Sequence, residues 1–180
     1  MSWLAPERTT VAAERILDAA AELFVAKGVS GVSMAEVAAA AGCSRATMYR
    51  YFSDRRELHL AFIHREAKRV GASVAGEIAA VEGEEARVVA AVCSAVRHVR
   101  ATPHLDAWFS AGDAGVTAEL VGSSDVLGWL GLGVAHDQAA ARWLVRVVVS
   151  LLTMPGRDEA EERELVARFV APLVTHLSLR

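Results

Sequence analysis

Ser33-Met-Ala-Glu-Val-Ala-Ala-Ala-Ala-Gly-Cys-Ser-Arg-Ala-Thr-Met-Tyr-Arg-Tyr-Phe-Ser-Asp-Arg-Arg-Glu-Leu58 decides the fold. Ser33 and Glu36 stand three apart, the spacing at which a serine oxygen takes an orphan backbone N–H and the glutamate reaches back to the serine's own. A helix is therefore predicted from Ser33 to about Ala41. Gly42 supplies a turn that needs a left-handed residue, and Ser44 can cap a short third helix through Tyr51. Val37, Ala38, Ala41, Gly42, Cys43 and Met48 have the sizes that two helices touching across a tight turn require. The third helix is too short and polar to be a core element, and it turns Arg45, Thr47, Tyr49, Arg50 and Tyr51 outward. An arginine can donate two bonds to a guanine edge, a threonine can meet a base, and tyrosine hydroxyls can reach phosphate oxygens. The same pattern is open to a plainer reading, an αα-hairpin with a solvated polar face.

Around this core the periodicity stays helical. Val11 to Lys27 sets Ile16, Ala20, Leu23 and Phe24 on one face and stops at Gly28. Ser53 or Asp54 caps a fourth helix, 54–80, with Asp54-x-x-Glu57 as a second capping box and an apolar face of Leu58, Phe62, Val70, Val74 and Ile78. After a polar break at 81–85, a fifth helix is predicted from Ala86 to Arg100, stopped near Pro103. From Ala111 to Gly133 six glycines interrupt the apolar residues, which favours short helices and loops. Asp137 opens a further helix to Leu152, ended by Pro155-Gly156. Asp158-x-x-Glu161 caps a last one carrying Leu165, Phe169, Leu173 and Leu177, with Pro172 expected to kink it.

Composition agrees with an all-α chain. Of 180 residues 53% are hydrophobic and only 4 are proline, enough apolar material for a sizeable core and too little turn chemistry for short strands. The net charge of −3 hides an asymmetry: 44–69 holds seven Lys/Arg against three acids, whereas the residues after Arg69 hold nine against fourteen. A basic face on an acidic body suits contact with phosphates, although scattered surface charge would give the same totals. Cys43 and Cys93, both assigned to helical segments, form neither a disulfide framework nor a metal-ligand spacing. The first eight residues carry no export signal and no apolar run reaches the ~20 residues of a membrane span, so a cytoplasmic protein is expected.

Phe24, Ser33-Met-Ala-Glu-Val-Ala38 and the run from Ala41 to Leu58 resemble the signature of the TetR family of bacterial regulators, over roughly Thr10 to Val70. The resemblance implies about nine helices: a helix-turn-helix head (10–56), a fourth helix linking it to a ligand-binding and dimerisation body (57–180), and dimerisation through the last two long helices. It also implies a transcriptional regulator with double-stranded operator DNA as partner, most simply a repressor released by a small-molecule effector, and no cofactor. Carried over by position, Ser33, Tyr49 and Tyr51 resemble phosphate contacts, as does Arg55, which stands where the family usually has lysine. Arg45, Ala46, Thr47 and Arg50 match base-facing positions, with Ser44 capping their helix. Cys43 departs from the family's more usual valine but suits the same apolar slot.

In the body the resemblance is architectural alone. His104, Trp108, Phe109 and Trp129 offer aromatic walls and one polar handle for a ligand, or are plain core residues. Leu144, Val148, Leu151 and Leu152, with the apolar side of 165–177, exceed what one exposed face needs. They are assigned with Trp143, Arg146, Leu165, Phe169 and Leu173 to a dimer bundle. Two-fold symmetry would then set two recognition helices about 34–36 Å apart, or a multiple, on a palindromic operator. Two rivals remain. An all-α enzyme using His104 or Asp106 as base lacks a nucleophile elbow, a metal pair or a phosphate loop, Gly131-Leu-Gly133 being too incomplete. A helical protein-interaction module would lack salt-dependent binding to duplex DNA.

Overall fold

The structure is a computed structural model of one chain; it describes residues 5–110, 135 and 137–177. The glycine-interrupted segment, with Trp129 and Gly131-Leu-Gly133, lies outside the described residues. Among those described, every regular element is helical. None of these helices is long and apolar enough to cross a membrane. The chain divides into two compact units, with the boundary between Phe62 and Ile63.

The first unit begins with α1 (Ala5–Lys27), which starts a turn and a half before the predicted Val11. Pro6 falls in its first turn, where a missing N–H breaks no intrahelical bond. Gly28 ends the helix at φ 73° with its N–H on the Phe24 carbonyl at 3.0 Å. A 3-10 turn follows at Val29–Gly31, then α2 (Met34–Ala40), α3 (Arg45–Tyr51) and the first turns of α4 (Arg55–Ile78). Ile16, Phe24, Val37, Met48, Leu58 and Phe62 are each at most 2% exposed and form its core. Phe24 is their hub, with its ring edge-on to Phe62 at 5.1 Å and to His59 at 5.6 Å between centroids. His59 and Glu66 are buried on the inner face of α4, where the apolar spacing alone predicted no polar group.

The second unit holds the rest of α4, α5 (Glu84–Ala101), α6 (Pro103–Ser110), α7 (Gln138–Thr153), α8 (Glu159–Phe169) and α9 (Ala171–Leu177). Pro103 stops one helix and starts another, a result the sequence reading missed. Its ring suits the first helical position, and the Thr102 carbonyl accepts from Leu105 and Asp106 at 2.9 Å. Asp137 and Asp158 cap α7 and α8, accepting from Ala140 at 2.7 Å and Glu161 at 2.8 Å.

Three expectations are corrected. Pro172 does not kink one helix but separates two, with Val170 between them, because it cannot donate to the Arg168 carbonyl yet costs nothing in a new first turn. Cys43 is not helical: it lies in the turn after α2, half-buried, while Cys93 lies on α5. Leu144, Val148 and Leu151, assigned to a bundle between subunits, are buried within the chain itself because α7 turns them toward α5 and α6.

Candidate nucleic-acid interface and ligand cavity

The α2–turn–α3 segment is built from local chemistry. Ser33 Oγ accepts from Glu36 N at 3.3 Å, and Glu36 Oε2 accepts from Ser33 N at 2.9 Å and from its hydroxyl at 2.6 Å. Glu36 Oε1 takes Lys27 Nζ at 2.6 Å. The Lys27 ammonium and the Ser33 donors hold the Glu36 carboxyl down to about 2. At the other end of α2 the Cys43 N–H reaches back to the Ala38 carbonyl at 2.9 Å and the Gly42 N–H to Ala39 at 3.1 Å, the paired bonds that close a helix over a left-handed residue. Gly42 has φ 67°, while an added Cβ would meet nothing nearer than Arg15 Nη2 at 3.9 Å. Substitution there is therefore a conformational cost without a clash. Gly42→Ala should lose about 1–2 kcal/mol and Gly42→Asn less, read by thermal unfolding; equal stability of all three would show that the turn relaxes.

Ser44 opens α3 by accepting from Thr47 N at 3.1 Å, and its hydroxyl also bonds the Thr47 hydroxyl at 3.0 Å. Met48 is wholly buried and anchors the opposite side. At 100° per residue, Arg45, Ala46, Tyr49 and Arg50 share an arc of about 140°, and all four are exposed. Thr47 and Tyr51 are half-buried, and the Arg50 guanidinium lies 5.3 Å from the centre of the Tyr51 ring. Ser33 is exposed at the start of α2. Arg55 is differently engaged: its Nη2 donates to the Val29 carbonyl at 2.7 Å and its Nε to His59 Nε2 at 3.4 Å. It ties the start of α4 to the 3-10 turn, as Arg15 ties α1 to the Ala41 carbonyl at 3.4 Å. Both links join residues 26 apart in sequence, and no spacing signal announces them.

In the second unit a cavity of about 50 Å³ is lined by residues of α4, α5, α6 and α7. Trp108 and Phe109, named from the sequence as ligand walls or plain core residues, both line it. His104 is not among its lining residues; its Nε2 lies 3.1 Å from Glu66 Oε2. Glu66 is 3% exposed, and its other oxygen takes Arg65 Nε at 2.8 Å and Arg69 Nη1 at 3.1 Å. Sequence reasoning also missed the walls from Val70, Ala95, Val99 and Val145. Spacing places Val70 on the apolar face of its helix, and no sequence signal singles out the other three.

Elsewhere in this unit α7, α8 and α9 leave large apolar side chains uncovered. Trp143, Leu165, Phe169 and Leu173 are 41–55% exposed, and Arg146 is exposed as well. Phe169 also carries the Arg168 guanidinium 5.2 Å from its ring centre.

Comparison with known proteins bears on both units. Residues 16–62 match the family model described as bacterial regulatory proteins, tetR family. An uncharacterised HTH-type transcriptional regulator of Mycobacterium tuberculosis is 42% identical over 98% of this chain and 92% of its own length. Among solved structures, the TetR family repressor AlkX of Dietzia sp. is 19% identical with a TM-score of 0.66, over 90% of this chain and 97% of its own. RolR in complex with resorcinol is 19% identical with a TM-score of 0.65, over 97% of this chain and 92% of its own.

Proposed function

The chain belongs to the TetR family of bacterial regulatory proteins and is a DNA-binding transcriptional regulator, not an enzyme; on that footing we propose that it is a homodimeric repressor released from a palindromic operator by a small molecule. The observation that carries the DNA-reading role is the exposed arc of Arg45, Ala46, Tyr49 and Arg50 behind a capped glycine turn. Arg45 and Arg50 read base edges, with Ala46 and Thr47 beside them, and Ser33, Tyr49 and Tyr51 hold phosphates. Arg55 sets the start of α4 through the Val29 carbonyl, and, being exposed, offers its remaining guanidinium N–H groups to a phosphate. The reading assigns 10–56 to the head and 57–180 to the body.

The exposed Trp143, Leu165, Phe169 and Leu173 support dimerisation, since side chains this large clustered on the last helices of a chain are commonly covered by a partner. The cavity beside Trp108 and Phe109 supports an effector site, and a protein of like fold has been solved with a small phenol bound. Helix α4 contributes Leu58 and Phe62 to the first core and Ile63, Ala67 and Val70 to the cavity wall. A ligand favouring one placement of α4 would weaken operator binding, and the operator would weaken ligand binding by the same factor.

The experiment is selection of duplexes from a random DNA pool by the purified protein, with Arg45→Ala and Tyr49→Ala in parallel. Wild type should enrich a palindrome. Arg45→Ala should relax one base position in each half-site by about 1–3 kcal/mol, and Tyr49→Ala should weaken all sites alike. No enrichment at low salt by the folded protein would rule out unaided DNA reading.

A further inference from the structure

The side chains that α3 can offer to a DNA groove are chemically one-sided. From Arg45 to Tyr51 the helix carries no Asp, Glu, Asn or Gln, so it has no carboxylate to accept from the amino group of cytosine and no carboxamide to pair with adenine. Its side-chain acceptors are hydroxyls, and the two nearest its start are turned on each other: Ser44 Oγ lies 3.0 Å from Thr47 Oγ1 and accepts from Thr47 N at 3.1 Å. Tyr51 is half-buried beside the Arg50 guanidinium. The exposed arc therefore presents two arginines, which only donate, the Tyr49 hydroxyl and the methyl group of Ala46.

Ala46 is turned about 100° from Arg45 and about 40° from Arg50 around the helix axis, so its methyl stands between the two arginine stems. It is the shortest side chain on an arc of long ones. The arginines can bend along a groove, whereas an alanine lets the helix settle toward the floor and meet whatever projects from the base edges. In the major groove thymine alone projects an apolar group, its 5-methyl. Resting on the reading of α3 as the helix that enters the major groove, we propose that each operator half-site sets the 5-methyl group of a thymine against Ala46, beside a guanine read by Arg45. These are the two bases that suit the helix: both show it acceptor oxygens, and neither edge demands an acceptor in return. Covering one methyl group contributes about fourfold in affinity per half-site.

The test starts from the duplex that the full-length protein selects from a random pool. Each thymine is replaced in turn by deoxyuridine, symmetrically in both half-sites, and binding is titrated at one fixed salt concentration. One thymine position should lose about fourfold per half-site and the others little. Cytosine at that position should bind more weakly still, and 5-methylcytosine should bind about fourfold more tightly than cytosine, because it restores the methyl without the keto oxygen. Ala46→Gly should bind the thymine and deoxyuridine duplexes alike; whatever glycine costs α3 cancels in that ratio, and the base series on the unaltered protein suffices if the variant does not fold. A selected palindrome in which no thymine responds to loss of its methyl would overturn the inference and leave DNA reading intact. A response that persists undiminished in Ala46→Gly would overturn the assignment to Ala46. No enrichment of any sequence by the folded protein would overturn DNA reading itself, and this inference with it.

Discussion

Phe24→Ala should cost the first unit about 3–5 kcal/mol and with it operator binding, although Phe24 is 0% exposed and can touch no DNA. The ring fills the space between α1 and α4, edge-on to both Phe62 and His59. Its removal forfeits the transfer energy of an aromatic side chain and leaves a void that helices held by short turns cannot close. Domains carry roughly 5–15 kcal/mol in all, so a loss of this size removes a large share of the unit's stability. Phe24→Leu refills part of the void and should lose less. Urea unfolding monitored with operator binding at low temperature separates the effects: affinity recovered on cooling means that Phe24 acts through stability. An alanine variant that melts like wild type would show that the core repacks.

Glu162→Ala should cost the second unit about 3 kcal/mol. Glu162 is buried, and its two oxygens take Arg100 Nη1 at 2.9 Å and Nη2 at 2.7 Å while the Gly156 N–H adds a third bond at 2.9 Å. Arg100 Nη2 also donates to the Leu151 carbonyl at 2.9 Å. The Arg100–Glu162 pair thus joins α5, the end of α7, the Pro155-Gly156 loop and α8. Breaking a fully buried pair costs about 3–5 kcal/mol. The lower figure applies because the Arg100 side chain is 33% exposed and, once freed, can reach water.

The Arg100 guanidinium holds the Glu162 carboxyl below its ordinary 4.5, against the opposing effect of burial. A carboxylate depressed by folding stabilises above its unfolded pKa and loses that contribution as pH falls through the folded one. The gap between wild type and Glu162→Gln should therefore be full near pH 7 and narrow progressively below about 4.5. A gap independent of pH would mean that packing, not the ion pair, carries the effect.

The capping chemistry is legible in the sequence alone. Ser33 with Glu36, Ser44, Asp54, Asp137 and Asp158 stand where the structure has them, because a cap closes over three or four residues and depends on little beyond them. Gly42 was legible for the same reason: its left-handed backbone is a local demand. The candidate DNA-reading residues followed from these, since a short capped helix with Met48 buried must turn Arg45 and Tyr49 outward. Trp108 and Phe109 were found by size and character, but the space beside them was not.

Tertiary structure decided what connects distant parts of the chain. Arg55 reads as a surface cation until the Val29 carbonyl, 26 residues earlier, is placed beside it. Arg100 and Glu162, 62 apart, meet only after α5 and α8 have packed. Helix α7 has an apolar stripe that periodicity reveals, but periodicity does not say what covers it. Leu144 and Val148 went into the chain's own core while Trp143 stayed outside. Local hydrogen bonds are specified by neighbours in sequence, which the chain always carries with it; the partner of a buried face is chosen by the competition among all the faces that can cover it.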